Sequence, residues 1–241
     1  MTESPPSIHM RWHDLLFLHW RVETARLRPL VPKELELDLF DDQAYVALVP
    51  FEMRDTRFRG LPDLAWLRQF PECNVRTYVR HGGVAGVWFF SLDAASLLPV
   101  LGARSLWRLP YVWSRIGIER EGDVTRYSLR RVVSGARSHI VWRRGEPLPQ
   151  SSPGSLEHFL TERYWLFSRR FGRIERGRVA HAPWALRRAE LLELDDELVG
   201  RAGMDVAGEP HVLCSDGIDV EGWALQRSAT SRSTAAAEGR G

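Results

Sequence analysis

Residues 74–80 read Asn, Val, Arg, Thr, Tyr, Val, Arg, so polar and apolar side chains alternate. Successive side chains of a strand point to opposite faces, which puts Asn74, Arg76 and Tyr78 on one side and Val75, Thr77 and Val79 on the other. The polar side either meets solvent, as in a generic antiparallel sheet, or lines a barrel interior. In an interior, a guanidinium and a phenol would be aimed at a ligand carboxylate or carbonyl. A second cluster, Thr161-Glu162-Arg163-Tyr164, packs an acid, a guanidinium and a phenol into one turn beside Trp165. It suits a structural ion pair or a catalytic acid, because both perturb charges alike. His19-Trp20 follows an apolar run, the setting of a hydrogen-bonded core histidine or, alternatively, of a general base.

The familiar catalytic signatures are absent: there is no phosphate loop, dinucleotide fingerprint, nucleophile elbow or paired metal-binding histidines on a helix turn. His9 and His13 stand four apart, but no acid or third histidine completes a ligand set nearby. No metal and no cofactor is therefore expected. Cys73 and Cys214 are far apart in sequence and read as core thiols, neither a disulfide framework nor a zinc site.

The elements that must position these residues are mostly strands. Three segments show hairpin grammar: residues 35–40 and 43–49 about Asp41-Asp42, residues 74–80 and 86–92 about His81-Gly82-Gly83, and residues 116–120 and 124–133 about Glu121-Gly122-Asp123. Residues 138–143, 174–180, 189–194, 210–214 and 218–225 supply further strands. So large a sheet must curl, close or split to bury itself. Helices are expected at residues 13–20, 23–30, 155–164 and 195–202. Ser155 caps the third, and Gly203 ends the last.

At 241 residues, with 44% apolar and 10% aromatic content, the chain can bury one large core. We expect a single domain over residues 10–227, with residues 1–9 and the Ser/Thr/Ala/Gly/Arg tail 228–241 disordered. GEPLPQSSPG, residues 145–154, is a loop within that domain. No apolar stretch approaches the ~20 residues of a membrane span, so a cytoplasmic location and no membrane partner are expected. Thirty-three basic residues against thirty-one acidic ones are scattered without a stripe, which argues against nucleic acid. Only one of the basic residues, Lys33, is a lysine.

Several ordered segments resemble one family. They are His13-Asp14-Leu15 with His19-Trp20, Leu27-Arg28-Pro29-Leu30-Val31-Pro32, YVALVPFEM at residues 45–53, FPECNVRTYV at residues 70–79, GVWFFSLDA at residues 86–94, Leu109-Pro110-Tyr111, and the turn at residues 159–164. The series, covering about residues 10–225, is similar to the YqjF-like proteins, a domain of unknown function, and through them to acetoacetate decarboxylase. The resemblance implies a mainly β (α+β) fold, an antiparallel cone-like β-barrel around a buried cavity with a few flanking helices. It fixes fold more firmly than activity.

In the decarboxylase a lysine just after Gly-x-Pro forms a Schiff base with the keto acid, its pKa lowered by a neighbouring cation and a desolvated pocket. Here Gly102-Ala103-Arg104 and Trp107-Arg108-Leu109-Pro110 resemble the approach to that lysine, but Tyr111-Val112 follows. Either Glu72 or Asn74 would match the related enzyme's carboxylate-bearing position. Lys33 follows Pro32 at a turn and is expected to be exposed. Arginine stays protonated and is not a usable nucleophile. The expectation is therefore a barrel that binds a small acidic or carbonyl-containing molecule without Schiff-base chemistry. Its ligand-binding candidates are Arg76, Tyr78, Asn74, Glu72 and Arg163. The alternative is a lysine-independent hydratase, isomerase or lyase using Tyr111, Glu162 or His19 as acid or base. A homo-oligomer is compatible with either reading. A purely structural protein would instead expose apolar surface.

Overall fold

Short β-prone runs, separated by Gly- and Asp-containing turns, pair into a thirteen-stranded sheet. The structure, a computed structural model, describes residues 4–60, 62, 69–95 and 109–227. The expected disordered tail, residues 228–241, lies outside the described residues.

The strands in chain order are β1 Ile8–Val22, β2 Glu36–Leu37, β3 Ala44–Phe58, β4 Phe70–His81, β5 Val84–Ala94, β6 Tyr111–Glu121 and β7 Val124–Arg131. They continue as β8 Arg137–Pro147, β9 Trp165–Arg170, β10 Arg173–Ala180, β11 Arg187–Asp196, β12 His211–Gly222 and β13 Gln226–Arg227. Three short helices accompany them: α1 Thr24–Leu27, α2 Leu156–Thr161 and α3 Leu198–Arg201. Among the described residues no helix is long and apolar enough to cross a membrane.

The β4–β5 hairpin turns at Gly82 and Gly83, whose φ values of 56° and 79° are the left-handed pair a two-residue turn demands. The β6–β7 hairpin turns at Gly122, φ 58°. Asp41 and Asp42 also turn with positive φ, at 47° and 60°, bridging Phe40 to Gln43. The run before them does not continue into a hairpin with β3, because β2 pairs with β4 at Glu36↔Arg80 and Leu37↔Val79. Ser155 accepts the His158 N–H at the start of α2, the cap its position predicts.

Strand β5 has β4 on one edge, while its other edge divides between β9 at Val87 and Trp88 and β6 from Leu92 onward. Strand β12 divides in the same way between β11 and β10. The sheet β12-β1-β3-β4-β5 is thus common to two closures. One runs through β6, β7, β8 and β11 to make a nine-stranded barrel, and the other through β9 and β10.

Both faces of the common sheet are consequently buried. Leu16, Leu18, Val46, Leu48, Cys73 and Val75 pack beneath Tyr127, Ile140 and Trp142. Leu15, Phe17, Ala47, Val49 and Phe51 face the other way, toward Trp184 and Leu213. Each fully buried Leu or Phe contributes roughly 1.5–3 kcal/mol, so the doubly covered sheet anchors the fold.

Several expectations are corrected. Residues 13–20 are strand, not helix, because a sheet covered on both faces reads as an unbroken apolar run. Residues 210–214 and 218–225 are not two strands. One continuous strand, β12, crosses Gly217 at φ 147° and pairs with β1 throughout. Strand β9 went unanticipated. The ordered chain also reaches back beyond the expected start at Met10: β1 begins at Ile8, the Ser7 N–H bonds to the Gly222 carbonyl over 2.7 Å, and Ser4 accepts the Trp223 indole N–H over 2.7 Å.

Candidate functional site

Beneath β9 and β10, against the second face of the common sheet, lies a cavity of about 110 Å³. Two irregularities aim its lining. Strand β1 presents Met10 and Trp12 on this side, then Leu15 and Phe17, and the change of parity falls at Asp14, a bulge with φ 49° beside the register shift between His13 and Leu18. Strand β5 presents Val87 and Phe89, then Leu92. Its extra residue lies where the register passes from Arg76↔Phe89 to Val75↔Ser91. Without these bulges a strict alternation would turn half of each strand's aromatic side chains out of the cavity.

Strand β4 supplies the polar groups. Glu72, Asn74 and Arg76 alternate along its cavity face, ~7 Å apart in steps of two residues. Of the two readings of that face, the interior one holds. Arg76 is 8% exposed, its guanidinium carbon 5.9 Å from the centre of the Phe17 ring. Its Nε has no hydrogen-bond partner, and among the described residues no carboxylate pairs with it. The Oδ1 of Asn74, also buried, is likewise without a partner there.

Glu72 is fully enclosed, and burial pushes its carboxyl up from 4.5 to about 8, against the opposing hydrogen bond from Tyr111 and helped by the charge of Asp93. The Tyr111 phenol donates to Glu72 Oε2 over 3.2 Å, and burial followed by that acid holds its own pKa well above the usual phenol range. At neutral pH the two form a neutral acid–phenol pair. Asp93 behind them is compensated by a bidentate contact from Arg131 at 2.7 and 2.8 Å and by Ser114 at 2.8 Å.

Arg163 reaches the cavity wall with its charge already matched. It pairs with Asp38 at 2.5 Å, donates to the Phe159 carbonyl at 2.6 Å and lies 4.2 Å over the Phe159 ring. The remaining candidates lie outside the lining. Tyr78 packs behind Arg76 and donates to the Leu160 carbonyl over 2.9 Å. His19, 1% exposed, sits between the rings of Phe17 and Tyr78, its pKa driven well below 6.5 by burial, then by the charges of Arg76 and His211. Its ring lies behind the wall, outside the cavity lining. Glu162 is a clamp, one oxygen accepting the Trp184 N–H at 2.9 Å and the other the Tyr164 hydroxyl at 2.5 Å.

The sequence reading missed the aromatic side of the cavity: Trp12, Trp165, His181, Trp184 and Trp223. His181 stacks on Tyr164 at 4.6 Å, and burial lowers its pKa. These residues come from separate elements, so no local spacing marks them; only the abundance of tryptophan, ten in all, hinted at them.

Lys33 is exposed beside Arg28 and Arg169, remote from the cavity lining. Gly102, Ala103, Arg104, Trp107 and Arg108, the approach in the resemblance, lie outside the described residues. His13, Asp14 and Glu52 come within metal-binding distance of one another. Arg120 already bridges Asp14 and Glu52, and Arg54 and Gln69 occupy the rest of Glu52. That donor set is an ion-pair network. His9 pairs instead with Glu221 at 3.5 Å.

Comparison with known proteins matches residues 9–219 to the DUF2071 family model, described as an uncharacterized conserved protein. The uncharacterized protein YqjF of Bacillus subtilis (strain 168) is 41% identical over 180 residues, 74% of each chain. Among solved structures, acetoacetate decarboxylase from Legionella pneumophila superimposes with a TM-score of 0.66 at 14% identity, over 95% of this chain and 91% of that one. The enduracididine biosynthesis enzyme MppR complexed with pyruvate gives 0.63 at 14% identity, over 94% and 91%. These likenesses establish the acetoacetate decarboxylase-like barrel.

Proposed function

The chain belongs to the DUF2071 family of uncharacterized conserved proteins, and we propose that its barrel binds a small organic acid or carbonyl compound at Arg76 without forming an imine. The observation that carries this reading is the buried guanidinium of Arg76, which no carboxylate pairs with among the described residues, in a largely apolar cavity. Holding an ion there costs several kcal/mol, and a carboxylate ligand supplies the missing counter-charge through charge-assisted hydrogen bonds. The Tyr111–Glu72 pair adds neutral polar groups, including a carboxylic O–H that can donate to a carbonyl oxygen. The described lining contains no lysine. The neighbouring fold that holds pyruvate in MppR makes 2-oxo acids natural first probes.

The test is calorimetric titration with pyruvate and acetoacetate, followed by borohydride treatment and intact-mass measurement. Binding with an unchanged mass supports the reading. No saturable binding of any small acid, or a trapped adduct, contradicts it.

A second reading is favoured by the raised pKa of Glu72. The ionised fraction of a carboxyl with a pKa of about 8 can take the methyl proton of a bound 2-oxo acid while the Tyr111 phenol donates to the carbonyl oxygen, and the protonated carboxyl, after exchange with solvent, returns a proton to the enolate carbon. That reading predicts deuterium uptake at the methyl group of pyruvate in D₂O, measured by NMR and lost in Glu72→Gln. Exchange no faster than in buffer would remove it.

A further inference from the structure

We infer that the cavity selects small acids that also bear a single flat aromatic ring, an inference that rests on Arg76 being the carboxylate site. From the guanidinium outward the wall is a relay of rings. Arg76 lies over Phe17, and Phe17 meets Trp184 edge-on at 5.2 Å and 83°. Trp184 runs nearly parallel to Trp12 at 6.1 Å and 17°, and Trp12 meets Phe51 at 5.7 Å and 61°. A ligand anchored at Arg76 meets this stack at its open margin on Trp12, since Phe17 and Trp184 are largely covered by their neighbours.

The wall is also held in place before any ligand arrives. Phe17 and Trp184 are 1% and 2% exposed. The Trp184 indole N–H donates to the Thr161 carbonyl at 2.9 Å, and its backbone N–H is held by Glu162. Fixed ring faces favour a partner that stacks or meets them edge-on, worth ~0.5–1.5 kcal/mol per contact beyond the area buried. Saturated chains gain the burial without that increment. The cavity of about 110 Å³ is smaller than the ~150 Å³ apolar cavity that admits benzene, so a ring extending from Arg76 requires side chains at the rim to move aside, and a second ring has no room.

Titrating wild-type protein with phenylacetate, cyclohexylacetate, hexanoate and pyruvate tests this directly. We expect phenylacetate to bind about 10-fold more tightly than cyclohexylacetate, equivalent to ~1.4 kcal/mol. Trp12→Leu should abolish that ratio, the two acids then binding within about 2-fold of each other. Should this variant fold poorly, the wild-type series decides by itself. Equal or tighter binding of cyclohexylacetate overturns the inference and leaves the acid site at Arg76 intact. Failure of all four acids to bind removes the acid site itself.

Discussion

Tyr111 points its hydroxyl at Oε2 of Glu72 across 3.2 Å, joining the first residue of β6 to the cavity face of β4. Burial, working against that contact, leaves Glu72 a neutral acid, and that state has a thermodynamic signature. Its folded-state value of about 8 exceeds the ordinary 4.5, so between those limits the folded chain holds a proton that the unfolded chain has lost. Stability therefore falls as pH rises through this window. In Glu72→Gln that part of the decline should vanish. Urea unfolding of both proteins from pH 5 to 8.5 measures it, and parallel curves would show an ionised Glu72.

Arg76 should be dispensable for folding. Removing one member of a buried ion pair usually costs ~3–5 kcal/mol because it strands the other charge, but among the described residues no carboxylate is stranded by loss of Arg76. Arg76→Met should leave stability unchanged or raise it by ~1–2 kcal/mol while abolishing acid binding. A loss of several kcal/mol in urea would mean that the guanidinium has a structural partner.

Asp38 makes the contrasting case. Its two oxygens hold Arg163 at 2.5 Å and Arg80 at 3.1 Å, with Asp38 and Arg163 both buried. Asp38→Ala leaves the Arg163 charge uncompensated in the wall and should destabilise by ~3–5 kcal/mol in the same assay. A cost below ~1 kcal/mol, the range of exposed pairs, would show that solvent reaches Arg163.

Gly86 is where β5 meets β9 at the closure over the cavity. A Cβ there would stand 2.5 Å from the Trp165 carbonyl oxygen and 2.8 Å from the Phe167 ring. Gly86→Ala should cost ~1–3 kcal/mol as an overpacked contact and loosen the short β5–β9 pairing. Hydrogen exchange at Val87 and Phe167 reads the loosening, and unchanged protection would place the strain elsewhere.

Much of the larger barrel was readable because its hairpins announce themselves: Gly82-Gly83 and Gly122 supply positive φ, and their flanking runs alternate. Strand β1 was not readable. Leu15 to Leu18 are buried on alternating sides of a sheet covered on both faces, so the period-2 signal disappears into a continuous apolar run. At the site, Asn74 and Arg76 were legible through alternation, whereas Glu162 and His19 lie outside the cavity lining. Trp12, His181 and Trp184 were hidden because tertiary packing, not spacing, brings them together.

The central claim, a lysine-free acid site at Arg76, is met most directly by a crystal structure of the protein with bound phenylacetate or pyruvate. The account predicts carboxylate oxygens ~2.7–2.9 Å from the guanidinium nitrogens of Arg76, with the rest of the ligand against Phe17 and Trp184. A ligand seated elsewhere, or a carbonyl carbon bonded to Lys33, would contradict it.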